Sequence, residues 1–264
     1  MYLIQSAHNE QLKRLSKLLK QAKTRRELGL AAMEGVHVLQ AYLHTGALPE
    51  QVFVSEKRAE HAEVAKLLRR LPAGVVHVVT GDALSKITAL TEADDVISVI
   101  RRPVNAALPT SGNGMLLEDV QDPGNIGTII RCAAAVGLDW LLLSKGAADV
   151  YSPKVLRAAM GGHFGLAIYT DVDALAWAAQ FTGRLWMTAL GQDSDSLYDL
   201  DLNQDGAWVM GNEGNGISEP LLALAPKTVH IPMHAHTESL NVAMAATVCV
   251  FEQQRQRLQH AVKA

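Results

Sequence analysis

Short apolar runs alternate with segments of helical periodicity along the first hundred residues. Near the N-terminus, Leu12, Leu15, Leu19 and Ala22 recur at helical spacing. Further along, the pattern predicts a helix over 33–43, a strand over 52–55, a helix over 60–71, a strand over 75–80 and an apolar run over 96–100. This alternation predicts a small N-terminal α/β sandwich.

A regular succession of strand and helix begins at residue 115. Helical period is clear over 125–136 and 153–160. The short apolar runs lie at 115–120, 140–144, 164–170, 185–190, 207–211 and 228–233. Such a series predicts a mostly parallel sheet with helices on both faces, in which ligands bind beyond the carboxyl ends of the strands.

A linker separates the two patterns. Residues 101–114 contain two prolines, two glycines and few large apolar residues. We therefore predict two domains of α/β class, residues 1–105 and residues 106–264.

Composition narrows the class of protein. The 264 residues are 48% hydrophobic and 19% charged, which excludes a disordered or fibrous chain. No apolar run is long enough to span a membrane, and the start lacks a basic segment leading into an apolar one. Cys132 and Cys249 both fall in predicted helices, which argues against a disulfide framework. These features predict a soluble protein of the cytoplasm.

The net charge of −3 conceals an uneven distribution. Residues 1–105 carry 15 basic and 11 acidic side chains, a net of +4, whereas residues 106–264 carry 9 and 16, a net of −7. The basic excess is greatest over residues 10–27. Five side chains there are predicted to bind RNA or DNA phosphates, although a solvated helix face explains the same pattern. They are Lys13, Lys17, Lys20, Arg25 and Arg26.

The first unusual loop follows the predicted strand at 115–120. It contains Asp122-Pro123-Gly124-Asn125, where a helix begins and free backbone N–H groups are expected. Arg131 follows in an otherwise apolar helix, and burying a guanidinium without a partner is costly. We predict that Arg131 faces an anion, with an internal salt bridge as the alternative.

Two further loops follow strands. In the second, Gly211, Gly214 and Gly216 surround Glu213, which permits close approach of a ligand or merely a tight turn. Their spacing is neither that of a dinucleotide fold nor that of a phosphate loop. The third leads from the strand at 228–233 to a helix that opens at 239–241.

Metal and hydrolase chemistry find little support. Three histidines in the third loop have no cysteine or carboxylate at a supporting spacing, so no metal is predicted. They are His230, His234 and His236. No nucleophile-elbow motif occurs either.

Taken together and in order, the three loops resemble the motifs of the SpoU/TrmH family of SPOUT RNA 2'-O-ribose methyltransferases. The resemblance extends over residues 114–258 and includes 152–157 and 160–164. In the N-terminal half, Ser6, Asn9, the basic helix and Glu34-Gly35 resemble the substrate-binding domain that precedes the catalytic domain in many rRNA-modifying members.

The resemblance implies a methyltransferase that uses S-adenosyl-L-methionine. It further implies a deep trefoil knot in the C-terminal domain, a homodimer whose active site is completed across the interface, and an RNA substrate, with rRNA favoured. The cofactor would be held by Leu190, Gly191, Gly211, Ile231 and Leu240. The catalytic residues would be Asn125, Arg131, Glu213, Ser239 and Asn241.

The resemblance leaves several choices open. Arg131 would act as general base or as a clamp for an RNA phosphate, because arginine is effectively always charged in proteins. Residues 91–95 depart from the family's pattern, which puts their substrate contact in doubt. A tRNA substrate, a catalytically silent RNA-binding homologue and, more distantly, a nucleotide-binding oxidoreductase are the alternatives.

The dimer surface is a separate prediction. Ala243, Ala246 and Val250 form a small-residue stripe at helical spacing, which would permit close approach of a partner subunit. The alternative is that this stripe packs on its own sheet.

Overall fold

The computed structural model describes residues 3–88, 96–104, 107–190, 194–234 and 239–263. Its contacts divide the chain into two units: Met1–Val104 with Asp149–Phe164, and Asn105–Ala148 with Gly165–Ala264. Residues 149–164 thus group with the N-terminal residues, although they lie within the predicted domain 106–264. The assignment of RNA binding to one domain and catalysis to the other stays a prediction. Residues 91–95 lie outside the described part.

The described residues form strands and helices in the following order. The strands are β1 (Leu3–Ile4), β2 (Leu30–Glu34), β3 (Gln51–Ser55), β4 (Val76–Val79), β5 (Val96–Arg101), β6 (Gly114–Leu117), β7 (Trp140–Ser144), β8 (Ala167–Val172), β9 (Arg184–Met187), β10 (Ser194–Ser196), β11 (Gly206–Met210) and β12 (Thr228–His230). The helices are α1 (Glu10–Lys20), α2 (Ala22–Leu28), α3 (Val36–His44), α4 (Glu56–Ala59), α5 (Ala62–Leu68), α6 (Gly81–Ser85), α7 (Pro123–Val136), α8 (Pro153–Ala158), α9 (Ala174–Ala178), α10 (Glu219–Leu222) and α11 (Val242–Lys263).

The first unit is built on a five-stranded sheet of order β1-β4-β3-β5-β2. Strand β5 runs antiparallel to both of its neighbours, whereas β4 is parallel to β1 and β3. Helix α1 starts where the Asn9 side chain accepts a hydrogen bond from the Gln11 backbone N–H at 2.9 Å. Its apolar face is buried against the sheet, while Lys13, Lys17 and Lys20 are exposed.

One element of this unit differs from the predicted pattern. The helix predicted over 33–43 begins at Val36, because Leu30–Glu34 is strand β2, paired with β5 and buried along its whole length. Gly35, at φ +115°, separates strand from helix in a conformation that favours glycine. An apolar run of this length is compatible with a buried strand or a buried helix, so periodicity does not distinguish them.

Arg25 attaches residues 149–164 to this unit. Its guanidinium is 4% exposed and lies 2.6 Å (Nη2) and 2.7 Å (Nε) from Asp149 Oδ2. Its Nη1 donates to the backbone oxygens of Leu18 and Leu19. The prediction that Arg25 binds RNA is therefore wrong: a buried guanidinium with these partners is not available to a phosphate.

The second unit has a fully parallel five-stranded sheet of order β8-β7-β6-β11-β9. Strands β10 and β12 form a separate parallel pair, and Val229 of β12 bridges to Thr188 beyond the end of β9. This arrangement confirms the predicted α/β fold with a mostly parallel sheet. No helix in the described ranges is long and apolar enough to cross a membrane.

Helices α7 and α11 pack against each other in the second unit. Both cysteines are free. Cys132 on α7 accepts a hydrogen bond from the Thr247 hydroxyl at 3.2 Å. Cys249 on α11 is buried, and burial raises the pKa of its thiol to about 12. At neutral pH it is therefore a protonated core side chain.

The small-residue stripe of α11 lies inside the unit. Ala243, Ala246 and Val250 are at most 3% exposed. The prediction that this stripe meets a partner subunit is wrong, because its side chains are already covered within the chain.

Candidate active site

Three loops that follow β6, β11 and β12 position four of the five predicted catalytic residues. They are Asn125, in the first turn of α7, Glu213, Ser239 and Asn241. Each loop begins where a strand ends, as expected at the carboxyl edge of a parallel sheet. Helix α7 starts at Pro123, with the Asp122 carboxylate accepting the backbone N–H of Asn125 at 2.9 Å. This cap fixes the position of Asn125 in the first turn.

Asn125 is the centre of a hydrogen-bonded chain of three side chains. Its Nδ2 donates to Glu213 Oε1 at 2.9 Å, and its Oδ1 accepts from Asn241 Nδ2 at 3.0 Å. Asn241 in turn accepts the backbone N–H groups of Ala243 and Met244 at the start of α11. Asn125 thus meets Glu213 and Asn241, which lie 88 and 116 positions further along the sequence.

Glu213 anchors its loop to the start of α7. Its carboxylate accepts the backbone N–H groups of Gln121 and Asp122, each at 3.3 Å, besides the Asn125 amide. Burial alone would raise the pKa of Glu213, but the hydrogen bonds from Asn125, Gln121 and Asp122 outweigh it and hold the pKa below its ordinary value of 4.5. The carboxylate is therefore ionised at neutral pH.

This lowered pKa predicts a pH-dependent contribution to stability. Because the folded-state pKa of Glu213 lies below the unfolded one, its stabilisation is present above pH 4.5 and is lost as the pH falls further through the folded-state value. Thermal unfolding should show Glu213→Gln less stable than wild type at pH 7, with the difference shrinking below pH 4.5. Glu219→Gln, at an exposed carboxylate nearby, is the matched control. If the difference in thermal stability between wild type and Glu213→Gln does not change with pH, the lowered pKa of Glu213 is not its cause.

The loop after β11 is a closed turn. Asn212 and Gly216 exchange two backbone hydrogen bonds, of 3.0 and 2.9 Å. The Asn212 side chain accepts the backbone N–H groups of Gly214 and Asn215. A Cβ at Gly211 would lie 2.2 Å from the backbone carbon of Gly216, so only glycine fits there. This glycine is required by the turn itself, besides any ligand.

A cavity of about 680 Å³ lies beside this turn. Its walls include four of the predicted cofactor-binding residues and three of the predicted catalytic ones. They are Leu190, Gly211, Ile231 and Leu240, together with Glu213, Ser239 and Asn241. The structure therefore brings these predicted residues to one site, while Gly191 lies outside the described residues.

The sequence did not identify several other residues of the cavity wall. Thr188, Met210 and Asn212 line it too, and Thr188 donates to the Val209 backbone oxygen at 3.0 Å. All three lie at or just beyond the ends of β9 and β11, the positions at which a parallel sheet binds ligands. Their position at strand ends was the signal that could have revealed them.

Arg131 lies apart from the network. It is an exposed side chain on α7, six residues after Asn125 and thus about 9 Å further along the helix axis. Neither a hydrogen bond nor an ion pair holds its guanidinium within the described ranges. The alternative of an internal salt bridge finds no partner among the described residues, and the guanidinium is exposed.

The basic face of the first unit lies on α1 and α2. Lys13 is 2.8 Å from Glu10, and Lys17, Lys20 and Arg26 are exposed. No group of three or more histidine, cysteine or acidic side chains that could hold a metal ion occurs in the described part of the chain; His236 lies outside it.

Comparison with known proteins identifies both parts of the chain. Residues 114–251 match the SpoU rRNA Methylase family, and residues 9–98 match an MRM3-like substrate binding domain. The 23S rRNA (guanosine(2553)-2'-O)-methyltransferase RlmP of Bacillus subtilis is 30% identical over 95% of this chain and 98% of its own length. A 23S rRNA (uridine(2479)-2'-O)-methyltransferase of Streptomyces viridochromogenes is 28% identical over 96% of this chain and 92% of that protein.

Solved structures agree with the sequence matches. The SpoU methyltransferase AviRb of Streptomyces viridochromogenes, in complex with the cofactor AdoMet, superimposes with a TM-score of 0.81 at 27% identity, covering 95% of this chain and 99% of that one. The family match covers more than half of the sequence and contains all three site loops. The chain belongs to the SpoU rRNA methylase family.

Proposed function

We propose that this protein transfers a methyl group from S-adenosyl-L-methionine to a ribose 2'-hydroxyl of RNA, with rRNA as the substrate. One observation carries the proposal: the Glu213–Asn125–Asn241 network lies at the edge of a cavity whose walls contain the four described residues expected to hold the cofactor.

The residues of this cavity suit the cofactor. Its volume falls within the range of small-molecule sites, roughly 300–1,000 Å³. Leu190, Ile231 and Leu240 supply apolar walls, and ionised Glu213 supplies a negative charge that favours a sulfonium cation. When bound, S-adenosyl-L-methionine supplies an electrophilic methyl group.

The chain's own residues then have two tasks. Asn125 and Asn241, whose amides are fixed by their mutual hydrogen bond, orient groups at the edge of the cavity. The hydroxyl proton must also be removed, because a ribose hydroxyl is a poor nucleophile. Arg131 serves this step as general base or clamps an RNA phosphate that does.

The choice of rRNA as the substrate rests on matches over the whole chain, not on the geometry of the site. Two relatives that align over nearly the full length are named as 23S rRNA methyltransferases, one for guanosine and one for uridine. The N-terminal match to a substrate binding domain favours rRNA over tRNA. Because these two relatives differ in the base that they modify, the nucleotide does not transfer to this chain.

We expect the basic face of α1 to contribute affinity for RNA. Replacing Lys13, Lys17 and Lys20 by alanine should weaken RNA binding and flatten the salt dependence of log K by up to about three units, because each lost phosphate contact removes about one unit. Lys57, Lys66 and Lys86 replaced together are the control, since they remove equal charge from elsewhere in the unit. RNA binding unchanged at all salt concentrations would show that this face is only solvated.

A homodimer is also part of the proposal, with a surface different from the small-residue stripe. Met244, Phe251 and Leu258 recur every seven residues on α11 and are 53%, 44% and 62% exposed. Such a stripe of large apolar side chains is typical of a helix that packs against a partner. In this homodimer each active site is completed across the interface, and Arg131, exposed on α7, is the residue that we propose each subunit contributes.

The dimer predicts a specific loss. Phe251→Asp should give monomers with little methyl transfer in sedimentation and activity assays, because a charge in an apolar interface is unfavourable. Tyr198→Asp, at a side chain of similar exposure outside α11, should stay dimeric. A fully active monomer would contradict the shared site.

Two further expectations belong to the proposal. We infer a trefoil knot in the second unit. A crystal structure in which the traced backbone of this unit is unknotted would contradict this inference. We also place the protein in the cytoplasm, which cell fractionation tests.

Transfer of an isotope-labelled methyl group tests the function directly. Wild-type protein with labelled S-adenosyl-L-methionine should label purified rRNA, and nuclease digestion should recover the label on a ribose. RNA binding without any labelling would support the silent homologue, and labelling of tRNA alone would overturn the choice of substrate.

A further inference from the structure

The turn at 211–217 is attached to Glu118 and Asp119, two residues that are not among the predicted site residues. Glu118 follows β6, and its carboxylate accepts both the backbone N–H and the hydroxyl of Ser218, at 2.8 and 2.6 Å. Ser218 precedes α10, yet its side chain does not cap that helix. Its hydroxyl is used instead to attach the end of the turn to β6.

Asp119 attaches the beginning of the same turn. Its backbone oxygen accepts from Asn212 Nδ2 at 2.8 Å, and its backbone N–H donates to the Ser144 hydroxyl at 2.8 Å. Asp119 has φ +54°, a conformation that aspartate and asparagine tolerate better than other side chains with a Cβ. Its carboxylate accepts a hydrogen bond from Ser144, and a Cβ at Gly146 would meet that carboxylate at 2.3 Å. The surroundings thus fix both backbone groups of Asp119.

These contacts complete a three-point attachment. Three residues in or next to the turn form hydrogen bonds to the segment 118–125. They are Asn212 and Glu213 in its first half and Ser218 directly after it. We propose that Glu118 and Asp119 are positioning residues that hold the wall of the cofactor cavity in its binding shape. This inference rests on the proposed function, because it assumes that the cavity binds S-adenosyl-L-methionine.

Glu118 and Asp119 would raise the affinity for S-adenosyl-L-methionine by fixing the turn before the cofactor binds. A turn that is already fixed loses less conformational freedom when a ligand binds, so the affinity for the ligand is higher. Neither Glu118 nor Asp119 lines the cavity, so both act through the turn. Removing the Glu118 carboxylate should therefore release the turn and weaken binding of S-adenosyl-L-methionine while leaving the affinity for RNA unchanged.

The test compares four variants by calorimetry with S-adenosyl-L-methionine and by amide hydrogen exchange of residues 211–217 in the free protein. Glu118→Ala should raise the Kd about tenfold and accelerate exchange in the turn. Glu118→Gln should stay close to wild type, because it keeps an acceptor oxygen for Ser218. Adding Ser218→Ala to Glu118→Ala should cause little further loss, because the two residues act as one contact.

Asp201→Ala is the matched control. Its carboxylate also accepts two hydrogen bonds from one residue of the same unit, Asn203, but lies away from the cavity. It should leave both the Kd and the exchange of the turn unchanged. Glu118→Ala with the wild-type Kd and wild-type amide exchange in the turn would contradict the inference. So would a Glu118→Gln variant whose Kd rises as much as that of Glu118→Ala. An equal rise in Kd for Asp201→Ala would contradict it too. Wild-type protein that binds no S-adenosyl-L-methionine would contradict the proposed function instead, and the exchange rates would still test the attachment.

Discussion

Arg131→Ala should lower the turnover of methyl transfer by about 10²- to 10³-fold, the effect of removing one group that stabilises a transition state. The side chain is exposed on α7 and has no partner within the described ranges, so its removal should alter neither the thermal unfolding temperature nor the affinity for S-adenosyl-L-methionine. Steady-state kinetics, calorimetry and thermal unfolding on the same preparation measure the three effects.

Two further variants test whether the loss is specific to Arg131 and which of its two proposed roles causes it. Arg184→Ala removes another exposed positive charge from the same unit and should keep near-normal turnover. Arg131→Lys keeps the charge but not the planar fork. A phosphate clamp should retain part of the activity. A general base should instead show a pH–rate profile shifted to lower pH, because an ammonium group loses its proton more readily than a guanidinium does. An Arg131→Ala enzyme with normal turnover would remove this residue from the mechanism.

Gly211→Val should abolish binding of S-adenosyl-L-methionine. The structure gives a reason other than simple filling of ligand volume. A Cβ at this position would lie 2.2 Å from Gly216 and 2.3 Å from the backbone nitrogen of Ile217, so the whole turn must shift. Forcing atoms into a packed site typically costs 1–3 kcal/mol, roughly, and we expect a lower unfolding temperature together with the lost binding.

Gly214→Ala provides the control within the same turn. A Cβ there would meet only the Asn212 side chain oxygen, at an ordinary 3.5 Å, and Gly214 does not have positive φ. This variant should keep the wild-type unfolding temperature. Retained cofactor affinity in Gly211→Val would remove the turn from the site, and equal destabilisation by both variants would contradict the geometric explanation.

Much of the site could be predicted because parallel sheets bring strand ends together. Asn125, Glu213 and Asn241 each follow a different strand, and the rule that ligands bind at that edge places them near one another without knowledge of the packing. Their hydrogen bonds to each other could not be predicted, because they depend on the position of α7 and α11 to within a few tenths of an ångström.

Two predictions from the sequence are wrong for the same physical reason. Arg25 and the stripe of Ala243, Ala246 and Val250 were interpreted as surfaces for a partner, yet packing within the chain covers all of them. A guanidinium binds a phosphate or a carboxylate by the same geometry, and small residues permit close packing of either kind. Only tertiary structure reveals that Asp149 is the partner of Arg25.

Mapping 2'-O-methyl groups in rRNA from cells with and without the gene tests directly whether this protein methylates rRNA. Ribose methylation protects the adjacent phosphodiester from alkaline hydrolysis, so each modified nucleotide is a gap in the cleavage pattern. We predict that at least one rRNA position loses its protection without the gene, and regains it when the wild-type gene but not Arg131→Ala is restored. An rRNA methylation pattern identical in both cells would contradict ribose methylation of rRNA by this protein.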